Sequence, residues 1–334
     1  GITNAVSLVD NLMVGSLGTE KMTAVSIAGQ LFFVFFLAVF GGLSGPGIYS
    51  AQYFGQGNKE GYQKIFRLKV WITALLTVVG VIVFLVGGEW LIGLYLKGSG
   101  GNLDAGLTLE SALSYLRIML IGLVPFAITQ IYAGSLREMG ESMKPMLAGL
   151  VSVVVDIVFN YFLIYGKFGF PRLEVKGAAI ATVMARFAEM FVVIIWTHVE
   201  IEKYSFLKNV YRTLRISLQE MMPVIIKGLP IFFNEFLWAG GMAVLTQCYS
   251  MKGLEVIAGL NISNAICNLL NVVFIAMGNA VGIIMGQFLG ASKFEEAKKN
   301  ANKLMWFTAM LCVGLTVILI ILSGVFPRAY NTTD

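Results

Sequence analysis

The sequence predicts an all-α membrane protein, a polytopic helical bundle made of two parallel-repeat lobes of which the second is incomplete. Hydrophobic residues make up 57% of the chain, charged residues 13%, and the mean hydropathy is +0.79. Soluble domains are far less apolar, so the bilayer is the expected solvent. A second observation is an internal repeat at an offset of 235 residues, a feature common among secondary transporters.

Apolar stretches long enough to cross about 30 Å of hydrocarbon recur along the chain. They lie near residues 22–50, 70–96, 109–134, 146–166, 177–197, 221–250, 256–286 and 304–327. Residues 1–17 precede them without an initiator Met, a basic flank or a cleavable signal. We therefore interpret residues 1–17 as the remainder of a ninth, truncated span.

The repeat aligns residues 18–71 with residues 253–306 without a gap. Ten of these 54 aligned positions are identical, including Gln52 with Gln287 and Gly55 with Gly290. This exceeds the three or four identities that chance composition would give.

The repeat also predicts the domain organisation. Residues 1–199 hold six spans and form an N-terminal lobe, residues 200–227 form a charged cytoplasmic connector, and residues 228–334 form a partial C-terminal lobe with three spans. An even number of spans per copy makes both copies cross the membrane in the same sense, which requires an axis along the membrane normal. About three further spans are expected to complete the second lobe.

The distribution of basic residues predicts the orientation. Of the 24 Lys and Arg residues, 15 lie in loops on one side and seven on the other, so the first side is cytoplasmic, as is the N-terminus. The net charge of +5 reflects this bias and predicts no nucleic-acid partner. Cys248, Cys267 and Cys312 all lie in spans, without disulfide or metal-site spacing.

An enzymatic function has little support in the sequence. The only histidine is His198, at a membrane edge, and no HExxH, paired DDxxD or GxSxG motif is present. An integral membrane transferase would need acids with a His or a metal cluster at the interface. We therefore predict no enzyme activity and no cofactor other than a coupling ion.

Acids at membrane depth are the first candidates for function, because a central charge costs about 2.5–3.5 kcal/mol on insertion scales. Asp10 lies in the opening span with Thr3 and Ser7 on the same helix face. A functional acid is the favoured interpretation. Helix packing or an interfacial position is the alternative.

Asp156 and Asn160 lie one turn apart on one face of the fifth span. A carboxylate and an amide in this arrangement can bind Na⁺ through oxygen ligands, or share a proton if burial raises the carboxyl pKa. An interhelical hydrogen bond is the simpler alternative.

Two further charged positions allow either a structural or a functional interpretation. Arg186 and Glu189 in the sixth span can neutralise each other at i and i+3. Glu235 lies about two turns into the seventh span and is either a second ion-coupling acid or a charge at the rim.

The eighth span carries an amide-rich face. Asn261, Asn264, Asn268 and Asn271 fall within an arc of about 80° at 100° per residue. Such a face either bonds neighbouring helices or lines a wet cavity, and we favour the cavity. Trp238 could contact a greasy or cationic aromatic substrate there, or face lipid.

Four segments resemble motifs of the multidrug and toxic compound extrusion (MATE) transporters. They are VDNLMVGSLG at 9–18, AQYFGQG at 51–57, NYFLIYGKFGFPRLEVKGAAIAT at 160–182 and KGLPIFFNE at 227–235. The resemblance covers the whole chain, from the middle of the first to the ninth of twelve helices. It implies a two-lobed antiporter that exports small organic compounds, often cationic, by alternating access as Na⁺ or H⁺ enters.

The resemblance also implies roles for individual residues. Asp10 matches the first-helix acid that binds the cation or proton, and Asp156 and Asn160 fall on the polar pair of the fifth helix, although many members have Asn where this chain has Asp156. Thr182 matches the hydroxyl of the same site, which would complete a possible Na⁺ ligand set.

In the second lobe, Glu235 resembles a seventh-helix acid of members with a cation site there. Asn261 falls where others carry a cavity-lining Gln.

The competing function is that of a lipid-linked oligosaccharide or polysaccharide flippase of the same superfamily architecture. A flippase favours a strongly cationic cavity, and only Arg117 and Arg186 lie within spans here. We expect a monomer in a bacterial plasma membrane, with membrane lipid and a small-molecule substrate as its partners.

Overall fold

The computed structural model describes residues 13–15, 17–96, 104–204, 206–208, 210–250 and 254–329. Regular secondary structure within these residues is entirely helical, which confirms the predicted all-α class. Helix α1 is described only at residues 13–15. It is followed by α2 (Thr19–Gly55), α3 (Lys59–Leu96), α4 (Ala105–Glu138), α5 (Met143–Tyr165), α6 (Val175–Val199), a 3-10 turn (Val210–Arg212), α7 (Leu218–Ser250), α8 (Leu254–Gly290) and α9 (Phe294–Ala329).

Seven helices of the described part are long and apolar enough to cross a membrane. They correspond to seven of the eight predicted apolar stretches, and the stretch at 221–250 is not among them. Several are longer than the bilayer requires. Helix α3 has 38 residues, about 57 Å at 1.5 Å per residue, against a hydrocarbon thickness of about 30 Å. Its most apolar stretch is only 17% buried within the protein, so this helix presents most of that surface outwards.

The predicted connector, residues 200–227, includes the first turns of a long helix. Helix α7 begins at Leu218, so only residues 200–217 lie outside the long helices. Residues 218–227 mix charged and apolar side chains and form the first turns of α7, in which Met221 and Val224 are buried.

The larger of two compact units contains the described residues of Ile2–Ser50 and Lys59–Phe236. Its core is a cluster of aromatic and aliphatic side chains to which each helix from α1 to α6 contributes, including Phe32, Leu116 and Leu123. Close helix contact occurs where α6 meets α5. A Cβ at Gly177 would lie 2.6 Å from the carbonyl oxygen of Leu163, so only glycine permits this approach.

The smaller unit contains the described residues of Ala51–Asn58 and Leu237–Asp334. Within it, the end of α2 crosses the end of α8 through reciprocal contacts. A Cβ at Gly55 would lie 2.0 Å from the carbonyl oxygen of Gln287, and one at Gly290 would lie 2.0 Å from that of Gln52. These four residues are two pairs of partners in the sequence repeat. Exchanging the partners converts one contact into the other, as a local two-fold axis does.

Candidate ion-coupling site

The polar pair predicted on the fifth span lies inside the larger unit. Asp156 is 1% exposed and Asn160 is fully buried, both on α5. The Asn160 Nδ2 donates a hydrogen bond of 3.3 Å to the Asp156 Oδ2. An amide and a carboxylate therefore lie one helical turn apart on the same face, which is the geometry that the i, i+4 spacing predicts.

Helix α5 is positioned by contacts at its C-terminal end. It ends at Tyr165, and Gly166 follows in the left-handed region with φ of 67°, a conformation that glycine adopts without strain. The Tyr165 hydroxyl donates to the carbonyl oxygen of Met13 at 3.3 Å, which connects α5 to α1. Asp10 precedes Met13 by three positions in the sequence and lies outside the described residues.

Thr182 lies half-buried on α6, and its hydroxyl donates to the carbonyl oxygen of Ala178 at 3.0 Å. The start of α6 is connected to α2 by an ion pair between Lys21 and Glu174. The hydrogen bond from Lys21 holds the pKa of the Glu174 carboxyl below its usual range, and Arg172 contributes a smaller electrostatic attraction. This pair keeps the first turn of α6 next to α2.

Glu235 lies on α7, whereas the polar pair lies on α5. It is half-buried on α7, where its Cγ would be 3.5 Å from a Cβ at Gly41 of α2. The two helices approach closely one turn away, since a Cβ at Gly45 would lie 2.5 Å from the Cα of Gly228. Glu235 therefore packs beside α2.

The substrate-cavity residues are only partly described. Trp238 is 53% exposed and Asn271 is also exposed, whereas the side chains of Asn261, Asn264 and Asn268 lie outside the described ones. In the part of the chain that the structure describes, no three His, Cys, Asp or Glu side chains gather in a metal-binding cluster. The cavity remains a prediction from the amide stripe.

Arg186 and Glu189 form the predicted ion pair on α6, with an Nη1 to Oε2 distance of 3.4 Å. The guanidinium also lies 5.6 Å from the ring centre of Phe36 and 5.2 Å from that of Phe126. Ring faces attract cations at these distances, so the arginine is held by one carboxylate and two aromatic rings.

A buried ion pair that the sequence analysis did not predict joins α3 and α4. Lys69 lies within α3 at 1% exposure and forms an ion pair with Glu138 at the end of α4. The Lys69 Nζ also lies 3.4 Å from the Ser135 Oγ, while the Glu138 Oε1 would be 2.9 Å from a Cβ at Gly47. The positions of the two residues along the sequence could have predicted this pair, because successive antiparallel helices bring Lys69 and Glu138 to the same end of the bundle.

Long apolar helices with a buried carboxylate, a buried amide and paired charges define a polytopic helical membrane protein. The chain belongs to the MatE family, whose model matches residues 2–162 and 230–334. The resemblance proposed from the four sequence motifs is thereby confirmed.

Individual relatives agree with this assignment. The chain is 26% identical to a probable multidrug resistance protein NorM of Synechocystis over 98% of this chain and 67% of the relative. It is 27% identical to a probable multidrug resistance protein YoeA of Bacillus subtilis, over 94% and 66%. A solved outward-facing MATE transporter of the MOP superfamily has the same fold, with a TM-score of 0.81 at 20% identity over 99% of this chain and 71% of that one. The chain thus spans about two thirds of these relatives and is a multi-pass protein of the bacterial plasma membrane.

Proposed function

We propose that this chain belongs to a cation-coupled antiporter that exports drugs or other small organic compounds, often cationic, by alternating access. The relatives support export of small molecules, since they are named as multidrug resistance proteins. The observation that carries the coupling proposal is the buried Asp156–Asn160 pair on α5.

The physical argument starts from the cost of a carboxylate at membrane depth. The charge of Asp156 requires compensation there by donors, a cation or a proton. If the compensating ion is bound more tightly in one conformation than in the other, its gradient biases the equilibrium between inward-facing and outward-facing states. Asp156 and Asn160 supply oxygen atoms that suit Na⁺, and a carboxylate that suits a proton.

The proposed coupling site combines Asp10 with Asp156, Asn160 and Thr182. The Tyr165 to Met13 hydrogen bond supports this grouping, because it brings the described part of α1 to α5. Glu235 is proposed as a separate acid of the second lobe.

The proposed substrate wall is the amide face of α8 together with Trp238. We further propose that the protein acts as a monomer with a cytoplasmic N-terminus.

The pairing of charges favours a drug exporter over a flippase of anionic lipid-linked sugars. The latter would need unneutralised cations at membrane depth. Of the two arginines within spans, Arg186 is paired with Glu189 on the same helix and Arg117 is exposed, while the buried Lys69 is paired with Glu138.

The test is transport by the full-length protein in vesicles under separately imposed Na⁺ and pH gradients. We expect one gradient to drive export and Asp10→Asn to abolish the driven component while the protein still inserts. Glu189→Gln is the control, because its partner Arg186 also contacts two aromatic rings, and it should keep at least part of the activity. Export by Asp10→Asn at the parental rate under every gradient would contradict the role of Asp10.

A further inference from the structure

The connector is fastened to α3 by a ladder of three hydrogen bonds. The side-chain donors are Gln63, Arg67 and Trp71, which follow each other at one-turn intervals on a single face of α3. They donate to the carbonyl oxygens of residues 208, 210 and 214, at 2.9, 2.9 and 3.0 Å. This ladder holds the last part of the connector against the helix surface.

An open groove of about 570 Å³ lies where the ladder ends. It is lined by Trp71, Thr213, Leu214, Arg215 and Ile216. Trp71 is 52% exposed and begins the apolar stretch of α3, the usual level of an interfacial aromatic residue. We therefore expect the groove to lie at the boundary between hydrocarbon and water.

The groove is lined by one charged side chain, that of Arg215. Two connector lysines have carboxylate partners, Lys203 with Glu141 at 3.0 Å and Lys208 with Glu202 at 2.5 Å. Arg215 is exposed, and among the described residues it has no ion-pair partner. Glu220, five positions further along the chain, is paired with Lys64 at 2.9 Å, so Arg215 can bind an anion from outside the protein.

Directly beyond Trp71, the exposed face of α3 is continuous and apolar. Its members recur at helical spacing: Leu75, Val78, Ile82 and Val86. Each is more than half exposed, so the strip can contact an acyl chain along its length. A cationic group, an interfacial indole and an apolar strip thus occur in the order of headgroup, glycerol and chain of a phospholipid.

We propose that this groove is a binding site for an anionic phospholipid of the cytoplasmic leaflet. Its phosphate pairs with Arg215 and its acyl chain lies along the α3 strip below Trp71. The leaflet follows from the Lys and Arg distribution, which predicts that the connector is cytoplasmic, where anionic lipids are attracted by basic segments. This proposal does not depend on which ion is coupled.

The proposal is tested by tryptophan fluorescence of the protein reconstituted with phosphatidylglycerol or phosphatidylcholine carrying brominated acyl chains. Bromine quenches an indole that it touches, so brominated phosphatidylglycerol should quench the parent more strongly than brominated phosphatidylcholine. Trp71→Phe should lose this excess. Trp306→Phe is the matched control, because Trp306 is the repeat partner of Trp71 and is 73% exposed, and it should keep the excess.

Affinity is measured on charge variants in the same system. Arg215→Gln should bind brominated phosphatidylglycerol about fivefold more weakly, the effect of one basic residue at a membrane surface. Lys208→Gln, whose charge is already paired with Glu202, should stay within about twofold of the parent.

Three results would overturn the assignment. Equal quenching by the two brominated lipids would remove the anionic preference, and an excess that persists in Trp71→Phe would place the lipid elsewhere. Displacement of the lipid by millimolar inorganic phosphate would instead identify a free-phosphate site.

Discussion

The carbonyl oxygen of Gln287 lies 2.0 Å from the position that a Cβ at Gly55 would occupy, and Gln52 and Gly290 repeat the same contact with the partners exchanged. Neither glycine can carry a side chain unless the backbones of α2 and α8 separate. The contacts thus explain why the sequence repeat preserves a Gly at both positions, opposite a backbone carbonyl of the other helix.

Gly55→Ala is therefore expected to destabilise the protein by about 1–3 kcal/mol, the usual cost of forcing extra volume into a packed contact. Gly282→Ala is the control, because a Cβ at Gly282 on α8 meets no atom within 4 Å. Thermal unfolding in detergent, followed by intrinsic fluorescence, measures both. Equal stability of the two variants would show that the crossing is not tightly packed.

The buried ion pair of α3 and α4 predicts a non-additive mutational pattern. Removing one partner, by Lys69→Met or Glu138→Leu, leaves an uncompensated buried charge and should cost about 3–5 kcal/mol. The double variant should be less destabilised than either single variant, because no charge remains.

The same unfolding assay tests this pair. Lys64→Gln is the control, since Lys64 forms ion pairs with the exposed Glu60 and Glu220 and its loss should change stability little. Additive losses in the double variant would argue against direct coupling of Lys69 and Glu138.

An acid-dependent contribution to stability is predicted where the connector meets the α4–α5 turn. The Lys203 ammonium, 3.0 Å away, lowers the pKa of the Glu141 carboxyl from its ordinary value of 4.5. A lowered folded-state pKa stabilises the protein above the ordinary value, and this stabilisation disappears as pH falls through the folded-state pKa.

Glu141→Gln should consequently have a lower melting temperature than the parent at pH 7, and the difference should shrink below about pH 4.5. Glu110→Gln, which changes an exposed carboxyl on α4, should track the parent throughout. A difference between the parent and Glu141→Gln that stays constant from pH 7 to pH 4 would exclude this ion pair as its source.

The features that could be predicted from the sequence are those that depend on the order of neighbouring residues along the chain. Long apolar runs predicted the spans, and the i, i+4 spacing predicted that Asp156 and Asn160 share a face. The helix boundaries were predicted less well, because charged residues flank the apolar stretches. Helix α3 begins at Lys59, eleven residues before its apolar stretch, since a helix can continue into water once it is formed.

Features that depend on tertiary contact were not predictable from the sequence. Lys69 and Glu138 are 69 positions apart, and nothing local distinguishes Lys69 from a loop lysine. The groove at Trp71 likewise depends on carbonyl groups of the connector, which every residue possesses and which only the folded chain brings to α3.

The most direct test of the central claim is gradient-driven export by Asp156→Asn in vesicles, with substrate binding measured in parallel. The amide preserves the shape of the side chain and removes its charge. We predict export lowered about 5- to 150-fold, the range of typical coupling free energies, with substrate affinity largely retained. Parental export by Asp156→Asn across the full range of Na⁺ and pH gradients would contradict cation coupling through this carboxylate.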